Sequence, residues 1–331
     1  MKAVIWTAYG QPDVLQLKEV EKPTPKDNEV LIRIAATTVP SGDCEMRSMS
    51  GSRWYTLLMR AYVGLRKPTK ITVLGMELAG VIESAGKDVK RFKAGDEVFG
   101  TTGFVGAGTN AEYIALPEEP EGGALSIKPA NMTYEEAAAV PIGGLEALNF
   151  LRQANLQSGQ SVLINGAAGT IGTFAVQLAK ALGAEVTAVD STEKLDLLRS
   201  IGADSVTDYT REDFARSNKT YDLILDIAGK SSFSGSLKSL KPGGCFLIAN
   251  ARVSQRVQGR WASTTRSKKV VFGKSSPKTE DLLLLKALIE AGKLRTVIDR
   301  VYSLEQTAAA HRYVETGQKV GNVVISINRG V

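Results

Sequence analysis

The sequence predicts an α/β fold in which a doubly wound, parallel-sheet domain is combined with a second, mainly-β module. The segment Ser161–Asp190 has the pattern of a strand, a glycine-rich turn, a helix and a second strand that ends in an acid. From about Met132 onward, helical and strand patterns alternate, which is typical of doubly wound domains. The first ~125 residues instead contain short β-like runs separated by glycine and proline turns.

The N-terminal module is predicted from short apolar runs at Ala3–Trp6, Val30–Ala36, Leu78–Ser84 and Asp96–Gly100. Its longest irregular stretch, Ser50–Pro68, is rich in aromatic and flexible apolar side chains. Two interpretations of this stretch are open: a lid or wall of a substrate pocket, or an amphipathic helix packed as core.

The doubly wound domain is predicted to have about six strands. Its helices are expected at Tyr134–Ala139, Leu145–Ala154, Glu193–Ile201 and Ser232–Leu240, and its later strands at Ser205–Thr207, Asp222–Asp226 and Cys245–Ala249. The tail is assigned back to the N-terminal module, with strands at Val270–Gly273 and Val323–Ile327 and helices at Glu280–Ala291 and Leu304–Thr316. The predicted domain limits are therefore 1–126 with 268–331, and 127–267.

The glycine turn predicts a dinucleotide site. Ala167-x-Gly169-x-x-Gly172 is a variant fingerprint with alanine at its first position. Gly169 would let the backbone approach a pyrophosphate, and Gly172 would let the helix pack close to the strand. The positive end of the helix would face the phosphates. The predicted contacts in this turn are Gly166, Ala167, Ala168, Gly169, Thr170, Ile171 and Gly172.

Asp190 closes the second strand 18 residues after Gly172, near the spacing of about 20 at which an acid meets the adenosine ribose. A carboxylate there accepts hydrogen bonds from the ribose hydroxyls and repels a 2′-phosphate, so it favours NAD(H) over NADP(H). Lys194 lies one helical turn further and can reach a 2′-phosphate, so NADP(H) stays open as the alternative. Other cofactor contacts are expected beyond later strands, at Ile227, Ala228, Gly229 and Asn250.

Composition indicates an ordinary globular protein of 331 residues, with 43% hydrophobic and 23% charged residues. No apolar run has the length of a membrane span, and MKAVIWTAYG lacks a signal-peptide pattern, so a cytoplasmic location is expected. Cys44 and Cys245 provide no disulfide framework and are expected to be buried or half-buried thiols. The net charge is +6, and the basic cluster Arg252–Lys274 suits a cofactor phosphate or a solvated face at least as well as nucleic acid, so no nucleic-acid partner is predicted.

Five sequence blocks, in order over nearly the whole chain, carry the pattern of one enzyme family. They are MKAVIWTAYGQPDVLQLKEVEKPTP, VLGMELAGVIESAGKDVKRFKAGDEVFG, AAAVPIGGLEALNFL, the glycine segment, and the C-terminal block from IEAGKLRTVIDRVYSLEQ to GQKVGNVVISI. Together they resemble the zinc-independent, quinone oxidoreductase-like branch of the medium-chain dehydrogenase/reductase superfamily. The resemblance implies a GroES-like catalytic domain built from both ends of the chain, a Rossmann domain between them, and a homodimer with Cys245–Asn250 as a candidate edge strand.

The resemblance also places the zinc-ligand positions of related alcohol dehydrogenases at Pro40, Met76 and Val140–Leu145, where this chain has no Cys or His. Tetrahedral zinc needs three or four convergent ligands, and the chain has two Cys and one His. His311 is expected to be a surface or half-buried helix residue. No metal is predicted.

Without a Lewis acid, the chemistry best suited to such a site is hydride transfer to a substrate with its own electron sink, a quinone or an α,β-unsaturated carbonyl. The loop TTVPSGDCEMR matches the family motif at Asp43 and Arg47 but lacks its Asn and Tyr. The two matching residues are either catalytic or an i,i+4 ion pair at a helix start. Tyr55, Tyr62 or a cofactor ribose hydroxyl remain as proton sources. Glu146, which stands where many relatives carry Thr, receives no role.

The resemblance carries Lys319 and Asn322 over as cofactor contacts, although both residues would equally serve strand pairing. The predicted protein is an NAD(P)H-dependent oxidoreductase acting on a small quinone or enone. Two alternatives are a zinc-free alcohol or carbonyl dehydrogenase and a non-catalytic NAD(P)H-binding protein.

Overall fold

The computed structural model describes residues 1–50, 53–103, 108–250 and 268–327, without the side chains of 53–55. Most of the basic cluster Arg252–Lys274 and the side chain of Tyr55 lie outside the described residues. The chain divides into two compact units. Unit 1 comprises Met1–Ile142, Pro277–Glu290 and Thr296–Val331, and unit 2 comprises Gly143–Ser276 and Ala291–Arg295.

Unit 1 is built on a mainly antiparallel sheet. Its strands, numbered along the chain, are β1 (Lys2–Trp6), β2 (Leu15–Glu19), β3 (Glu29–Thr38), β4 (Glu77–Ala85), β5 (Glu97–Thr101), β6 (Tyr113–Pro117), β7 (Ala124–Ile127), β14 (Ile298–Ser303) and β15 (Asn322–Ser326). The seven-stranded sheet has the order β14-β15-β3-β4-β5-β7, β6 pairs with β3, and β1 and β2 form a separate pair. In β3 the alternating residues Val30, Ile32 and Ile34 enter one core cluster, as expected for a strand with one buried face.

The helices described in unit 1 are α1 (Ser41–Ser48), α2 (Arg53–Val63), α3 (Tyr134–Ala138), α8 (Thr279–Glu290) and α9 (Thr307–Glu315). A capping box of Thr133 and Glu136 starts α3. Within the stretch Ser50–Pro68 the structure places α2, whose Met59 and Val63 pack in a core cluster with Trp6 and Leu74. The amphipathic-helix interpretation therefore holds for one face of α2.

Unit 2 is a doubly wound parallel domain. Its strands are β8 (Ser161–Asn165), β9 (Glu185–Asp190), β10 (Ser205–Asp208), β11 (Tyr221–Asp226), β12 (Leu240–Ile248) and β13 (Lys269–Phe272), and its helices are α4 (Pro141–Gln153), α5 (Thr170–Ala181), α6 (Leu195–Ser200) and α7 (Phe233–Lys238). Every pairing is parallel, in the order β10-β9-β8-β11-β12-β13. Because β8, β9 and β11 are neighbours, their carboxyl ends meet at one edge of the sheet.

Three assignments from the sequence need correction. The strand at Val270–Gly273, expected in the N-terminal module, is β13, which pairs with β12 and completes the six-stranded sheet of unit 2. The Cys245 strand is therefore internal to this sheet rather than its edge. The helix at Tyr134–Ala139, expected in the doubly wound domain, is α3, which contacts β3 and β4 of unit 1. Short apolar segments do not reveal which sheet they join, because that choice depends on partners distant in sequence.

In the described ranges, no helix has both the length and the apolar character that crossing a bilayer would require.

Candidate active site

The glycine turn connects β8 to α5 at the carboxyl edge of the unit 2 sheet. Gly166 adopts a φ of +82°, which only glycine takes up at little cost. A Cβ at Gly172 would come within 3.0 Å of backbone atoms of Gly166 and Ala167, so glycine is needed there for the helix to pack on the turn. A Cβ at Gly169 would meet only the Gly166 carbonyl oxygen, at 3.6 Å. The protein itself therefore does not require glycine at position 169.

Gly169 is also the N-cap residue of α5, and no side chain caps the helix at this position. The first turn of α5 contains no acidic residue. The N-terminal end of this 12-residue helix carries the positive end of the helix dipole, and no side chain at the cap position accepts from its first N–H groups. An open cap next to a glycine with spare room fits the pyrophosphate of a dinucleotide. The residues present therefore fit the predicted cofactor.

Asp190 lies beside this turn, as its position at the end of β9 predicts. One of its carboxylate oxygens accepts a hydrogen bond from the Ala168 N–H (2.9 Å), and the other accepts one from the Ser191 N–H (2.9 Å). Lys194 Nζ lies 3.6 Å from the Asp190 carboxylate. Each carboxylate oxygen keeps a further lone pair that can accept a hydrogen bond from a ribose hydroxyl. Asp190, which was expected to repel a 2′-phosphate, and Lys194, which was expected to attract it, are thus paired with each other.

Sequence analysis missed an aromatic residue at this corner. The N–H of Tyr209 donates to the Asp190 carbonyl (3.2 Å), and its side chain is largely exposed. Tyr209 follows β10 directly. In an open α/β sheet, ligand contacts are expected from residues just beyond the carboxyl end of a parallel strand. Its position was therefore a usable signal.

The loop after β11 is held against the glycine turn by a buried acid that sequence analysis also missed. Asp226 accepts hydrogen bonds from the Asn165 side-chain amide and the Gly229 N–H, both at 2.9 Å, and from the Ser231 hydroxyl at 2.6 Å. Ala228 lies 3.1 Å from where a Gly166 Cβ would stand. Asn165 and Asp226 each end a buried apolar strand, and this shared pattern was the available signal.

The predicted cofactor residues of unit 2 therefore form one surface at the carboxyl ends of the strands. The Asn250 carbonyl belongs to the same surface, because it lies 3.5 Å from the position of a Gly229 Cβ. The other two predicted contacts belong to unit 1 and serve its local structure. Lys319 Nζ donates to the Gly321 carbonyl (2.8 Å), and the Asn322 amide donates to the Val297 carbonyl (3.1 Å) at the start of β15.

The catalytic candidates Asp43 and Arg47 lie in α1, and both side chains are fully buried. The described contacts include no ion pair between them. The Arg47 guanidinium instead forms an ion pair with Glu315 of α9 and donates to the Gly10 carbonyl. Arg47 thus joins three segments of unit 1. It pairs with the distant Glu315 and not with Asp43, its expected i,i+4 partner.

Burial is the main cause that raises the pKa of Asp43 to about 7; the Gly75 N–H opposes this increase, and the nearby Glu77 carboxylate adds to it. Within the described residues, no donor has hydrogen-bond geometry to either Asp43 carboxyl oxygen. Glu77, by contrast, accepts hydrogen bonds from the Ile142 N–H (2.6 Å) and from the Thr38 hydroxyl. The two carboxyl groups therefore differ in environment, and Asp43 is the one that holds a proton near neutral pH.

We expect Asp43→Asn to stabilise the protein above neutral pH. Because the folded-state pKa is raised from 3.8 to about 7, the stabilising effect of protonated Asp43 is complete below pH ~4 and is lost as the pH rises through ~7. The neutral amide avoids this loss. At about 1.4 kcal/mol per pKa unit, the wild-type protein loses up to about 4 kcal/mol of unfolding free energy between pH ~4 and pH ~8 that the variant keeps. Urea unfolding across this pH range measures it.

The matched control is Asp88→Asn, which changes an exposed aspartate of unit 1. Its difference from the wild-type protein should be small at every pH. A pH-independent difference for Asp43→Asn would mean that Asp43 ionises normally in the folded protein.

The two tyrosine candidates belong to α2. Tyr62 is partly exposed, and Lys70 Nζ lies 5.6 Å from the centroid of its ring. The Tyr55 side chain lies outside the described residues. Glu146, which received no role, is largely buried, and its pKa is raised by that burial and lowered by a hydrogen bond with Ser275.

The positions that would bind catalytic zinc do not fit the metal. Pro40 is the N-cap residue of α1, and a Cβ at Gly42 would lie 4.0 Å from the Met76 methyl carbon. Neither side chain is a ligand that zinc uses. The described ranges also contain no group of three or more His, Cys, Asp or Glu residues arranged to hold a metal ion.

Cys44 and His311 form a buried pair in unit 1, with 3.3 Å between Cys44 Sγ and His311 Nδ1. His311 is fully buried, so the expectation of a surface or half-buried histidine is wrong. Burial lowers the pKa of His311 to about 3 and raises the pKa of Cys44 to about 12. Both groups are therefore neutral at physiological pH, and they pack α1 against α9. Cys44 and Cys245 are both buried free thiols, as expected.

Comparison with known proteins identifies the family. Residues 26–121 match the alcohol dehydrogenase GroES-like domain, and residues 201–325 match the zinc-binding dehydrogenase domain. A 2-methylene-furan-3-one reductase of Solanum lycopersicum is 33% identical over 98% of this chain and 79% of its own length. The chain belongs to the medium-chain dehydrogenase/reductase superfamily. This confirms the predicted family and fold class.

Other relatives of this medium-chain dehydrogenase/reductase place it in the quinone oxidoreductase-like branch. A quinone oxidoreductase of Pseudomonas aeruginosa is 32% identical over 98% of this chain and 99% of its own. The quinone oxidoreductase structure from Coxiella burnetii superposes with a TM-score of 0.88, at 29% identity and 99% coverage of both chains. The CurK enoyl reductase structure superposes with a TM-score of 0.84 at 26% identity, over 98% of this chain and 99% of its own. The protein is accordingly an oxidoreductase that uses a nicotinamide cofactor.

Proposed function

We propose that this protein transfers hydride from a nicotinamide cofactor to a quinone or an activated alkene, an enone or enal, without a metal. The observation that supports it most directly is the combination of an open dinucleotide cradle at Gly169 with zinc-ligand positions occupied by Pro40 and Met76. The relatives named as quinone oxidoreductases and as a reductase of an unsaturated ketone support the same acceptor class.

The contribution of the chain is placement. A bound nicotinamide supplies the hydride. The α5 N-terminus and the glycine turn bind the pyrophosphate, Asp190 orients the adenosine ribose, and the Asp226 network fixes the loop Ile227–Gly229 beside them. Quinones and enones carry their own electron sink, so a Lewis acid is not required to accept the electron pair. Tyr62 and a cofactor ribose hydroxyl are the proposed proton sources, and Tyr55 is kept as a sequence-based candidate.

The testing experiment is oxidation of NADH and NADPH, each with a quinone and with an enone, after treatment of the protein with a chelator. We expect turnover that survives chelation with at least one acceptor. If turnover required added zinc and occurred only with an alcohol or a simple ketone as substrate, the protein would be a carbonyl dehydrogenase and this proposal would be wrong. Tight dinucleotide binding without turnover on either acceptor would favour the non-catalytic alternative.

NADH is the proposed preferred cofactor because a carboxylate at the end of β9, beside the glycine turn, is expected to repel a 2′-phosphate. We expect Asp190→Asn to raise kcat/KM for NADPH relative to NADH by about tenfold, which corresponds to ~1.4 kcal/mol. Lys194→Ala should move the ratio in the opposite direction, since the uncompensated carboxylate then repels the phosphate more strongly. Steady-state kinetics with both cofactors measure the ratio.

Asp196→Asn, at an exposed surface aspartate in the first turn of α6, is the matched control and should leave the cofactor ratio unchanged. If Asp190→Asn leaves the ratio unchanged as well, the carboxylate serves only to hold the Ala168 N–H, and cofactor preference is set elsewhere. The homodimer and the cytoplasmic location remain predictions from sequence.

A further inference from the structure

The helix α2 has a second apolar face that the core does not use. Opposite the buried Met59 and Val63, the side chains of Leu57 and Leu58 are 55% and 68% exposed, and Leu65, just after the helix, is 70% exposed. The exposed leucines of α2 and of the turn after it give this part of unit 1 an apolar surface of the kind that marks an interaction site.

The charged residues that neighbour this surface along the chain are all basic. Between Met46 and Met76 the chain contains no Asp or Glu, whereas Arg66, Lys67 and Lys70 follow α2 within one short segment. All three of these basic residues are exposed. Arg60, the charged residue in the middle of α2, packs over the Tyr9 ring with 4.8 Å between its guanidinium carbon and the ring centroid. The outward face of α2 is therefore apolar, and its rim is cationic.

We propose that α2 and the turn after it form a docking surface for an anionic lipid bilayer. An amphipathic helix that buries leucine side chains below the head groups and places Lys and Arg among lipid phosphates binds at the membrane interface without spanning it. A protein partner would need an apolar groove lined with acidic residues, whereas an anionic bilayer presents an apolar phase beneath a layer of negative charge. Membrane docking goes beyond the proposed reaction and does not depend on it.

The chain supplies a matched comparison in α8. Leu283 and Leu284 are also adjacent leucines on a helix, 47% and 39% exposed, but they follow Glu280 and Asp281 in the first turn. Acidic neighbours repel anionic head groups. The two leucine pairs therefore differ in their charged neighbours along the chain: only basic residues flank Leu57 and Leu58, whereas Glu280 and Asp281 as well as Lys278 and Lys286 flank Leu283 and Leu284.

The test is flotation of the full-length protein with vesicles of phosphatidylcholine alone and of phosphatidylcholine mixed with phosphatidylglycerol. We expect the wild-type protein to float with the anionic vesicles at low salt and to be released at ~1 M salt, where the Debye length falls to ~3 Å. Leu57→Gln with Leu58→Gln should weaken partitioning by about tenfold or more. Leu283→Gln with Leu284→Gln should have no effect.

A second variant, Arg66→Gln with Lys67→Gln, leaves α2 intact and should also reduce binding to anionic vesicles by about tenfold.

Circular dichroism and sedimentation velocity of each variant accompany the flotation. Failure of the wild-type protein to float with anionic vesicles at low salt would overturn the proposal, as would equal loss in both leucine-pair variants. A wild-type oligomer that the Leu57/Leu58 variant dissociates would show that a second copy covers this face, which also overturns it. NADH binding provides a separate readout, because the two leucine residues lie in unit 1 and the dinucleotide surface lies in unit 2.

Discussion

Gly169→Ala is expected to weaken NADH binding by about 100-fold while leaving the free energy of unfolding almost unchanged. The protein has room for the methyl group, since a Cβ there meets one carbonyl oxygen at an ordinary 3.6 Å. The backbone at Gly169 has a φ of −80° and a ψ of 178°, which alanine adopts without strain. The methyl group would instead fill the space over the α5 N-terminus where we place the pyrophosphate. Losing contacts to two phosphates costs about 3 kcal/mol, or ~100-fold in affinity.

Gly172→Ala, three residues further, is the matched contrast. Its Cβ would lie within 3.0 Å of backbone atoms of Gly166 and Ala167, and backbone cannot move aside as a flexible side chain can. We expect this variant to be destabilised by about 3 kcal/mol or more through overpacking. Urea unfolding and titration of NADH by calorimetry separate the two effects. Tight NADH binding by a folded Gly169→Ala protein would mean that the cofactor does not cross this turn.

The contrast between these glycines shows what a fingerprint reveals. The sequence pattern predicts both residues and the acid at Asp190, because glycine spacing and strand length are local properties of the chain. It also predicts β8, α5 and β9 closely. The fingerprint assigns Gly169 to the pyrophosphate and Gly172 to helix packing, but only interatomic distances show that the fold has room for a Cβ at Gly169 and none at Gly172.

Two of the features that were not predicted are contacts between residues far apart in sequence. Asn165 and Asp226 are joined by a hydrogen bond across 61 residues, and Arg47 meets Glu315 across 268. Pairings of that range are set by the strand order and the packing of whole elements, so periodicity within a window of a dozen residues carries no trace of them. The same reason explains why β13 was assigned to the wrong sheet.

Arg47 provides the second large expected effect, because its burial and its partners indicate a structural role in unit 1. The guanidinium lies in the last turn of α1 and pairs with Glu315, the last residue of α9. A carboxylate at the C-terminal end of a helix is unfavourable beside the negative end of the helix dipole, and Arg47 offsets that cost. Its hydrogen bond to the Gly10 carbonyl ties the loop after β1 to the same point.

We expect Arg47→Ala to lower the unfolding free energy by about 3 kcal/mol, because loss of the fully buried guanidinium leaves a cavity, removes the donor to the Gly10 carbonyl and leaves the partly exposed Glu315 carboxylate unpaired. Arg47→Met, which fills most of the volume, should cost less. The control Arg199→Ala removes an exposed partner of Asp196, with side chains 55% and 98% exposed, and should cost at most about 0.5 kcal/mol. Urea unfolding measures the stability of all three variants.

Kinetics on the folded fraction then separate the structural role from the catalytic alternative. If Arg47 is structural, kcat with a quinone or an enone stays within a few-fold of the wild-type value once the temperature is low enough to keep Arg47→Ala folded. A catalytic Arg47 would instead lower kcat by about 100-fold or more in both Arg47→Ala and Arg47→Met, whether or not stability changes. Glu315→Gln adds a further check, because it removes the charge of the partner acid at the end of α9. It should reproduce part of the stability loss and none of the loss of kcat.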